Sequence, residues 1–184
     1  MSEPPAGLEA RLRHDLACLN YPPANWVPPR RHEGREVAGV VLIGGGMCGL
    51  VAAFSLPRLG IRNLRILDRS EAGREGPWIT YARMETLRSP KHLTGPAADL
   101  PALTFRAWYE AKVGPEAWER LGKIPRPMWM QYLSWYCQVL DLKVENGIEV
   151  THIEPTTDGL LRLSLTGAAE AELFARKVVL ATGR

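Results

Sequence analysis

The chain has 184 residues, of which 46% are hydrophobic and 23% charged, and its formal net charge at pH 7 is +3. This length predicts one domain, with appendages at most. Charges of both signs are interspersed, without a basic run that carries aromatic residues, which argues against a nucleic-acid partner. The three cysteines, at positions 18, 48 and 137, are widely spaced, which argues against a disulfide framework and for a cytoplasmic location.

The first 36 residues predict an appendage to the main domain. A short amphipathic helix is indicated by four leucines on one face, Leu8, Leu12, Leu16 and Leu19. The segment 21–29 contains four prolines, so it cannot be a central strand, and we interpret it as a strap in which Trp26 is a packing anchor. The sequence shows no secretory signal pattern, so export is not indicated.

Residues 40–49 hold the most informative motif of the chain. An apolar run leads directly into glycines with GxGxxG spacing, at Gly44, Gly46 and Gly49. The first glycine allows a tight turn, the second leaves room for a pyrophosphate, and the third lets a helix pack closely on the strand. A helix that begins at about Gly46 directs its free N–H groups at the anion. The motif therefore predicts a dinucleotide-binding turn.

The residues after the motif complete a predicted βαβ unit over residues 37–68. A second apolar strand, from Ile61 to Leu67, ends at Asp68, which lies 24 residues after Gly44. A Rossmann unit places the acid that binds the adenosine ribose at this distance. Pro57 predicts a kink or an early end of the helix. The uncharged segment 37–57 is long enough for a membrane span, but its glycines and Pro57 favour a buried α/β core and no membrane partner.

The rest of the chain predicts an insertion and a small β-meander. Residues 69–127 are rich in Gly, Pro and Arg and read as an insertion with a helix from Leu103 to Val113. A strong helical pattern then covers Met128 to Leu140. Three strands follow, Glu149 to Ile153, Leu160 to Leu165 and Phe174 to Leu180. The predicted fold class is α/β, a Rossmann-like domain over 37–184 with a parallel sheet, a meander and a helical insertion.

The final strand runs into Ala181-Thr-Gly, a turn of small residues that a cofactor can approach closely. Together with the GxGxxG motif and Asp68, this resembles the flavoproteins with two dinucleotide-binding domains. The closer resemblance is to class B flavin monooxygenases, which include flavin-containing, Baeyer–Villiger and N-hydroxylating enzymes. It covers about residues 38–184 and depends on three further segments: Gly76-Pro-Trp78, Thr86-Leu-Arg-Ser-Pro90, and Ile124-Pro-Arg-Pro followed by Tyr132-Leu-x-Trp-Tyr136.

The resemblance implies FAD as the cofactor and assigns residues to it. It gives Gly44, Gly46 and Gly49 to the pyrophosphate, and Asp68 to the adenosine ribose. Further implied contacts are Arg69 beside the adenine or ribose, the backbone of Val150 at the adenine, Thr182 and Gly183 closing over the cofactor, and Gly76, Trp78, Arg83 and Met84 near the pyrophosphate or the flavin ring. No catalytic residue and no metal site is assigned, because the four histidines are isolated in the sequence.

The implied function is that of an FAD-dependent, monooxygenase-like oxidoreductase with NAD(P)H as reductant and a small-molecule substrate. Family members carry a second GxGxxG motif after the Ala-Thr-Gly segment, and this sequence does not. We therefore interpret the chain as the FAD-binding N-terminal part of the enzyme and expect self-association or completion by a C-terminal portion. Two alternatives stay open, a non-catalytic FAD or nucleotide-binding module and an NAD-binding dehydrogenase domain.

Overall fold

The computed structural model describes residues 6–183. The elements in chain order are α1 (Ala6–Cys18), β1 (Arg31–His32), β2 (Arg35–Glu36), β3 (Ala38–Ile43), α2 (Met47–Arg58), β4 (Leu64–Asp68), a 3₁₀ turn (Pro101–Leu103), α3 (Phe105–Val113), α4 (Pro115–Arg120), α5 (Arg126–Val139), β5 (Val144–Asn146), β6 (Glu149–Pro155), β7 (Leu161–Thr166) and β8 (Glu172–Leu180). They form two compact units: a sheet unit, residues 22–76 and 142–183, and a helical unit, residues 6–21 and 77–141.

The sheet unit is built around a six-stranded sheet in the order β5-β4-β3-β8-β7-β6. The first four strands of this order are parallel to one another. The strands β6, β7 and β8 form an antiparallel meander at the other side of the sheet. The predicted Rossmann-like sheet with its small meander is therefore confirmed.

The central strands are buried on both faces, as their continuous apolar sequence predicts. On β3, Val41 faces one side and packs in a cluster with Leu67 and with Leu163 of the meander. Its neighbours Val40 and Leu42 face the other side, where Ala53 of α2 packs on them. Successive side chains alternate between the faces because the strand is pleated. The strand β3 therefore lies between two apolar clusters, one on each face of the sheet.

The helical unit has an aromatic core. Phe105, Trp118 and Tyr132 are fully buried in it, and the Tyr132 hydroxyl donates to the Leu103 carbonyl over 2.5 Å. Burial raises the pKa of this phenol far above its ordinary value. Lys91 donates to two carbonyls at the end of α4. The aromatic residues of the α5 pattern are thus core residues.

Most predicted elements are confirmed with shifted ends. The predicted helices 103–113 and 128–140 are found at Phe105–Val113 and Arg126–Val139. The helix after the glycines ends at Arg58, so Pro57 lies inside its last turn. The second strand begins at Leu64 and not at Ile61. Among the described residues, no helix is long and apolar enough to cross a membrane. The domain boundary at residue 36 stays a prediction.

Candidate dinucleotide site

The carboxyl ends of β3, β4 and β8 meet at one edge of the sheet. Gly44 follows β3, and its N–H donates to the Leu67 carbonyl on β4 over 2.8 Å. Ala181 follows β8, and its N–H donates to the Ile43 carbonyl over 2.8 Å. Ligands of open α/β sheets bind outside this edge, at the carboxyl ends of the strands. The predicted glycine turn after β3 and the predicted Ala-Thr-Gly turn after β8 therefore lie at the edge where a ligand would bind.

Three glycines of the turn are required by the packing of the protein itself. Gly44 has a φ of +112°, and a Cβ there would lie 2.5 Å from the Ala181 carbonyl oxygen. A Cβ on Gly49 would lie 1.8 Å from the Gly44 carbonyl oxygen. A Cβ on Gly45 would lie 2.8 Å from a methyl carbon of Val144. Any side chain at these positions would displace backbone or neighbouring strands.

Gly46 differs from these glycines because nothing in the protein crowds it. Its backbone is extended, with φ −72° and ψ −174°, a conformation that any residue can adopt. The nearest atom to an added Cβ would be the Gly76 Cα, at the ordinary contact distance of 3.7 Å. Gly46 is the N-cap of α2, and no side chain caps this helix. Free N–H groups and an open cradle at a helix N-terminus fit a pyrophosphate.

Asp68 lies at the end of β4 and faces this turn. Only 8% of the residue is exposed, and its Oδ2 accepts a hydrogen bond from the Gly45 N–H over 2.7 Å. Its Oδ1 accepts from the Ser70 N–H over 2.8 Å. Each carboxylate oxygen can accept a second hydrogen bond. Asp68 thus holds the glycine turn in place and keeps acceptor capacity for the hydroxyl groups of a ribose.

Thr182 and Gly76 complete the crevice. The Thr182 nitrogen lies 3.1 Å from the position of an added Cβ on Gly44, so the Ala-Thr-Gly turn packs directly on the glycine turn. Gly183 follows with a φ of +64°, which favours glycine. Gly76 borders the cradle at Gly46 from the loop 69–76. The structure therefore brings Gly44, Gly46, Gly49, Asp68, Gly76 and Thr182 together.

The sequence profile of the FAD-NAD(P)-binding family matches residues 41–184, which include all of these residues. The chain belongs to this family. An FAD-dependent urate hydroxylase from Xanthomonas campestris pv. campestris is 48% identical over 179 residues, which are 97% of this chain and 37% of that protein.

Solved structures of similar proteins agree with the fold. A flavin-containing monooxygenase from Stenotrophomonas maltophilia is 30% identical with a TM-score of 0.58, over 80% of this chain and 38% of that one. An ornithine hydroxylase from Pseudomonas aeruginosa is 17% identical with a TM-score of 0.66, over 80% of this chain and 39% of that one, and shows the fold alone. The chain spans less than two fifths of the length of each of these relatives.

Two other candidate residues of this FAD-NAD(P)-binding domain lie at its margin. The Arg69 side chain is 76% exposed, and its guanidinium lies 3.7 Å from the Glu149 carboxylate. Val150 lies on β6, an edge strand, next to a register shift in its pairing with β7. The start of β6 is fixed to the site, because the Ile148 N–H donates to the Asp68 carbonyl over 3.0 Å.

Trp78, Arg83 and Met84 belong to the helical unit. The indole Nε1 of Trp78 is buried and has no hydrogen-bond partner among the described residues. Arg83 is exposed, and Met84 is partly buried. Arg126 holds this segment: its Nε donates to the Met84 carbonyl over 2.9 Å, and its guanidinium also donates to the Trp78 carbonyl. Arg126 was not predicted as a site residue, although it lies within the Ile124-Pro-Arg-Pro segment.

Two further residues beside the turn were missed by sequence reasoning. Glu75 lies against Gly45, and Asn146 at the end of β5 donates to its carboxylate over 2.7 Å. These residues are 71 positions apart in the chain, so no local pattern connects them. The only signal in the sequence was that Glu75 directly precedes Gly76, a predicted site residue.

Proposed function

We propose that this chain is the FAD-binding portion of a flavin-dependent monooxygenase. The observation that carries the proposal is the uncrowded Gly46 at the N-terminus of α2, beside the acceptor Asp68 and the free N–H groups of that helix. The similarity to a urate hydroxylase and to a flavin-containing monooxygenase supports FAD as the cofactor. For the complete protein we propose NAD(P)H as reductant and a small-molecule substrate, with urate as the first to test.

The proposed roles of the residues follow from their places in the crevice. The turn from Gly44 to Gly49 holds the pyrophosphate, and Asp68 accepts hydrogen bonds from the adenosine ribose. Bound FAD supplies the redox chemistry, while the protein orients and shields it. Further proposed contacts are the backbone of Val150 at the adenine, Arg69 at its edge, Thr182 and Gly183 over the cofactor, and Gly76, Trp78, Arg83 and Met84 near the pyrophosphate or the flavin ring.

We also place the protein in the cytoplasm and expect it to associate, with a further portion of its own chain or with a second copy. Cys18 and Cys48 are exposed free thiols, which a reducing compartment preserves.

The absorbance spectrum of the purified chain mixed with FAD and then desalted tests the proposal. Retained flavin absorbance, lost when the Gly46→Ala variant is used, is the expected result. Titration with NAD⁺ in place of FAD tests the dehydrogenase alternative. If NAD⁺ binds and FAD does not, the chain is an NAD-binding domain. Failure to bind either dinucleotide contradicts the assignment of the site.

A further inference from the structure

Two acidic side chains from different segments converge on one side of the glycine turn. The position of an added Cβ on Gly45 lies 3.5 Å from the Asp68 Cβ and 3.3 Å from the Glu75 Cγ. Asp68 comes from the end of β4, whereas Glu75 comes from the loop 69–76. Both acidic side chains therefore lie beside the same glycine of the turn.

A continuous chain of hydrogen bonds joins the two carboxylates. The Asn146 Nδ2 donates to the Glu75 Oε1 over 2.7 Å and to the Ser70 carbonyl over 3.1 Å. The Ser70 N–H in turn donates to the Asp68 Oδ1 over 2.8 Å. Glu75 is partly buried. The network therefore holds the Glu75 carboxylate in a defined place at the crevice.

The charge of Glu75 is not neutralised by an ion pair within residues 6–183. Its partner Asn146 is a neutral amide. Of the nearest cationic neighbours in sequence, Arg74 is exposed and Arg69 lies beside Glu149. This side of the crevice thus carries the negative charges of both Asp68 and Glu75.

We propose that Glu75 determines the specificity for the adenosine half of the bound dinucleotide. It accepts a hydrogen bond from a ribose hydroxyl beside Asp68, and its charge repels any adenosine ligand that carries a 2′-phosphate. Asn146 is the positioning residue for this carboxylate. The inference rests on the proposed function, that a dinucleotide occupies the crevice. Hydroxyl groups can donate to carboxylates, whereas like charges placed together in a crevice are strongly unfavourable.

The Glu75→Gln variant tests this role because it removes the charge and keeps the shape. The chain is titrated by calorimetry with ADP and with 2′-phosphoadenosine 5′-diphosphate. The wild type is expected to prefer ADP, and in Glu75→Gln the ratio of the two dissociation constants is expected to fall about tenfold. Asn146→Ala is expected to lower the same ratio by a smaller factor, with no added effect in the double variant. A structural role alone would weaken both ligands equally.

Glu71→Gln is the matched control, because Glu71 is an exposed acid of the same loop. Its ratio is expected to equal that of the wild type. A Glu75→Gln ratio within about twofold of the wild-type ratio, less than 0.5 kcal/mol, overturns the inference and leaves the proposed function standing if ADP and FAD still bind. Wild-type protein that binds neither ADP nor FAD overturns both.

Discussion

Single residues decide whether the crevice can hold a ligand, and Gly46 separates ligand binding from folding. Gly46→Ala adds a methyl group at an ordinary contact distance from Gly76 and needs no unusual backbone conformation. We expect it to lose at most about 1 kcal/mol of stability, because Gly46 is the N-cap of α2 and alanine is a poorer N-cap than glycine. We expect FAD affinity to fall at least about tenfold, because the methyl group occupies the space of the phosphates. Thermal unfolding and flavin titration measure the two effects.

Two other glycines provide the controls for this prediction. Gly122→Ala adds a methyl group in open space in the helical unit, and we expect neither effect. Gly44→Ala forces a side chain onto a φ of +112° and against the Ala181 carbonyl, so we expect about 2 kcal/mol of destabilisation or more. Loss of stability in Gly46→Ala equal to that in Gly44→Ala would show that the cradle is a packing feature.

The sequence predicted the residues at strand ends and missed those that act across the chain. Gly44, Asp68 and Thr182 follow apolar strands, and parallel strands end at one edge, so their meeting could be foreseen. The contact of Glu75 with Asn146 could not, because it depends on the path of a loop between two strands. The burial of both Asp68 oxygens against backbone N–H groups likewise appears only in three dimensions.

At the scale of elements, Arg65 connects β4 to β5 and to the turn before β8. It forms two hydrogen bonds with the Glu145 carboxylate, of 2.8 and 2.6 Å, and a further ion pair with Glu170. The bonds to Glu145 raise the pKa of the guanidinium against the opposing effect of burial. Because the pair is partly buried and bidentate, we expect Arg65→Met to lower the free energy of unfolding by about 1 kcal/mol, and by less in high salt. Urea unfolding at two salt concentrations measures this.

The exposed pair of Arg162 with Glu154 on the meander serves as the comparison for Arg65. Exposed ion pairs contribute little, so Arg162→Met should change stability less than Arg65→Met does. An equal loss in both variants would mean that Arg65 acts through its apolar stem and not through its ion pairs.

Asp158 ties the ribbon of β1 and β2 to the turn between β6 and β7. A hydrogen bond from Thr156, then the charge and hydrogen bond of His32 and a bond from Arg30, hold the pKa of its carboxyl below the ordinary value. Because the folded-state pKa is lowered, the ionised carboxylate stabilises the folded contact at pH values above the pKa of the unfolded chain. This stabilisation is lost as the pH falls through the pKa of the folded state. The protection factors for hydrogen exchange at residues 30–36, which correct for the intrinsic pH dependence of exchange, should therefore fall in acid. Asp158→Asn should remove this pH dependence, and its persistence would assign the effect to another group.

The shortest helices and strands could not be predicted from the sequence. The strand β5 has three residues and α4 has six, too few for a hydrophobic period to appear. The strands of the meander were found because they are longer, six to nine residues, and because β7 alternates in burial. The predicted start of β4 was three residues too early, because Ile61 continues the apolar pattern of the strand. In the structure the Arg62 N–H donates to the Asn25 side chain and not to a neighbouring strand.

At the scale of the whole molecule, the two units interleave along the chain. Sequence reasoning grouped the first helix with the strap, but α1 packs against α3 in the helical unit, with Leu8 and Leu12 buried. The strap belongs to the sheet unit, where the Trp26 indole donates to the Leu59 carbonyl over 2.7 Å. Trp26 is thus attached by a polar contact, while most of its surface stays exposed. Contacts between segments so far apart leave no periodic signal in the sequence.

This division predicts that the sheet unit carries the adenosine site by itself. A protein in which Pro22–Gly76 is joined to Leu142–Arg184 keeps the apolar clusters on both faces of the sheet. A flexible Gly/Ser linker of about 15 residues, whose r.m.s. end-to-end distance is about 20 Å, joins Gly76 to Leu142. We expect cooperative unfolding and ADP affinity within about threefold of that of the 184-residue chain, since the turn, Asp68 and Glu75 are all retained.

Calorimetry with ADP and with FAD on both proteins makes this prediction specific. If Trp78, Arg83 and Met84 contact the flavin side of the cofactor, the longer chain binds FAD more tightly than ADP and the sheet unit does not. The Gly46→Ala change within the sheet unit should abolish ADP binding and leave its unfolding transition in place. A folded sheet unit that has lost ADP binding would place essential contacts in the helical unit, and would remove the adenosine site from the strand ends where Asp68 lies.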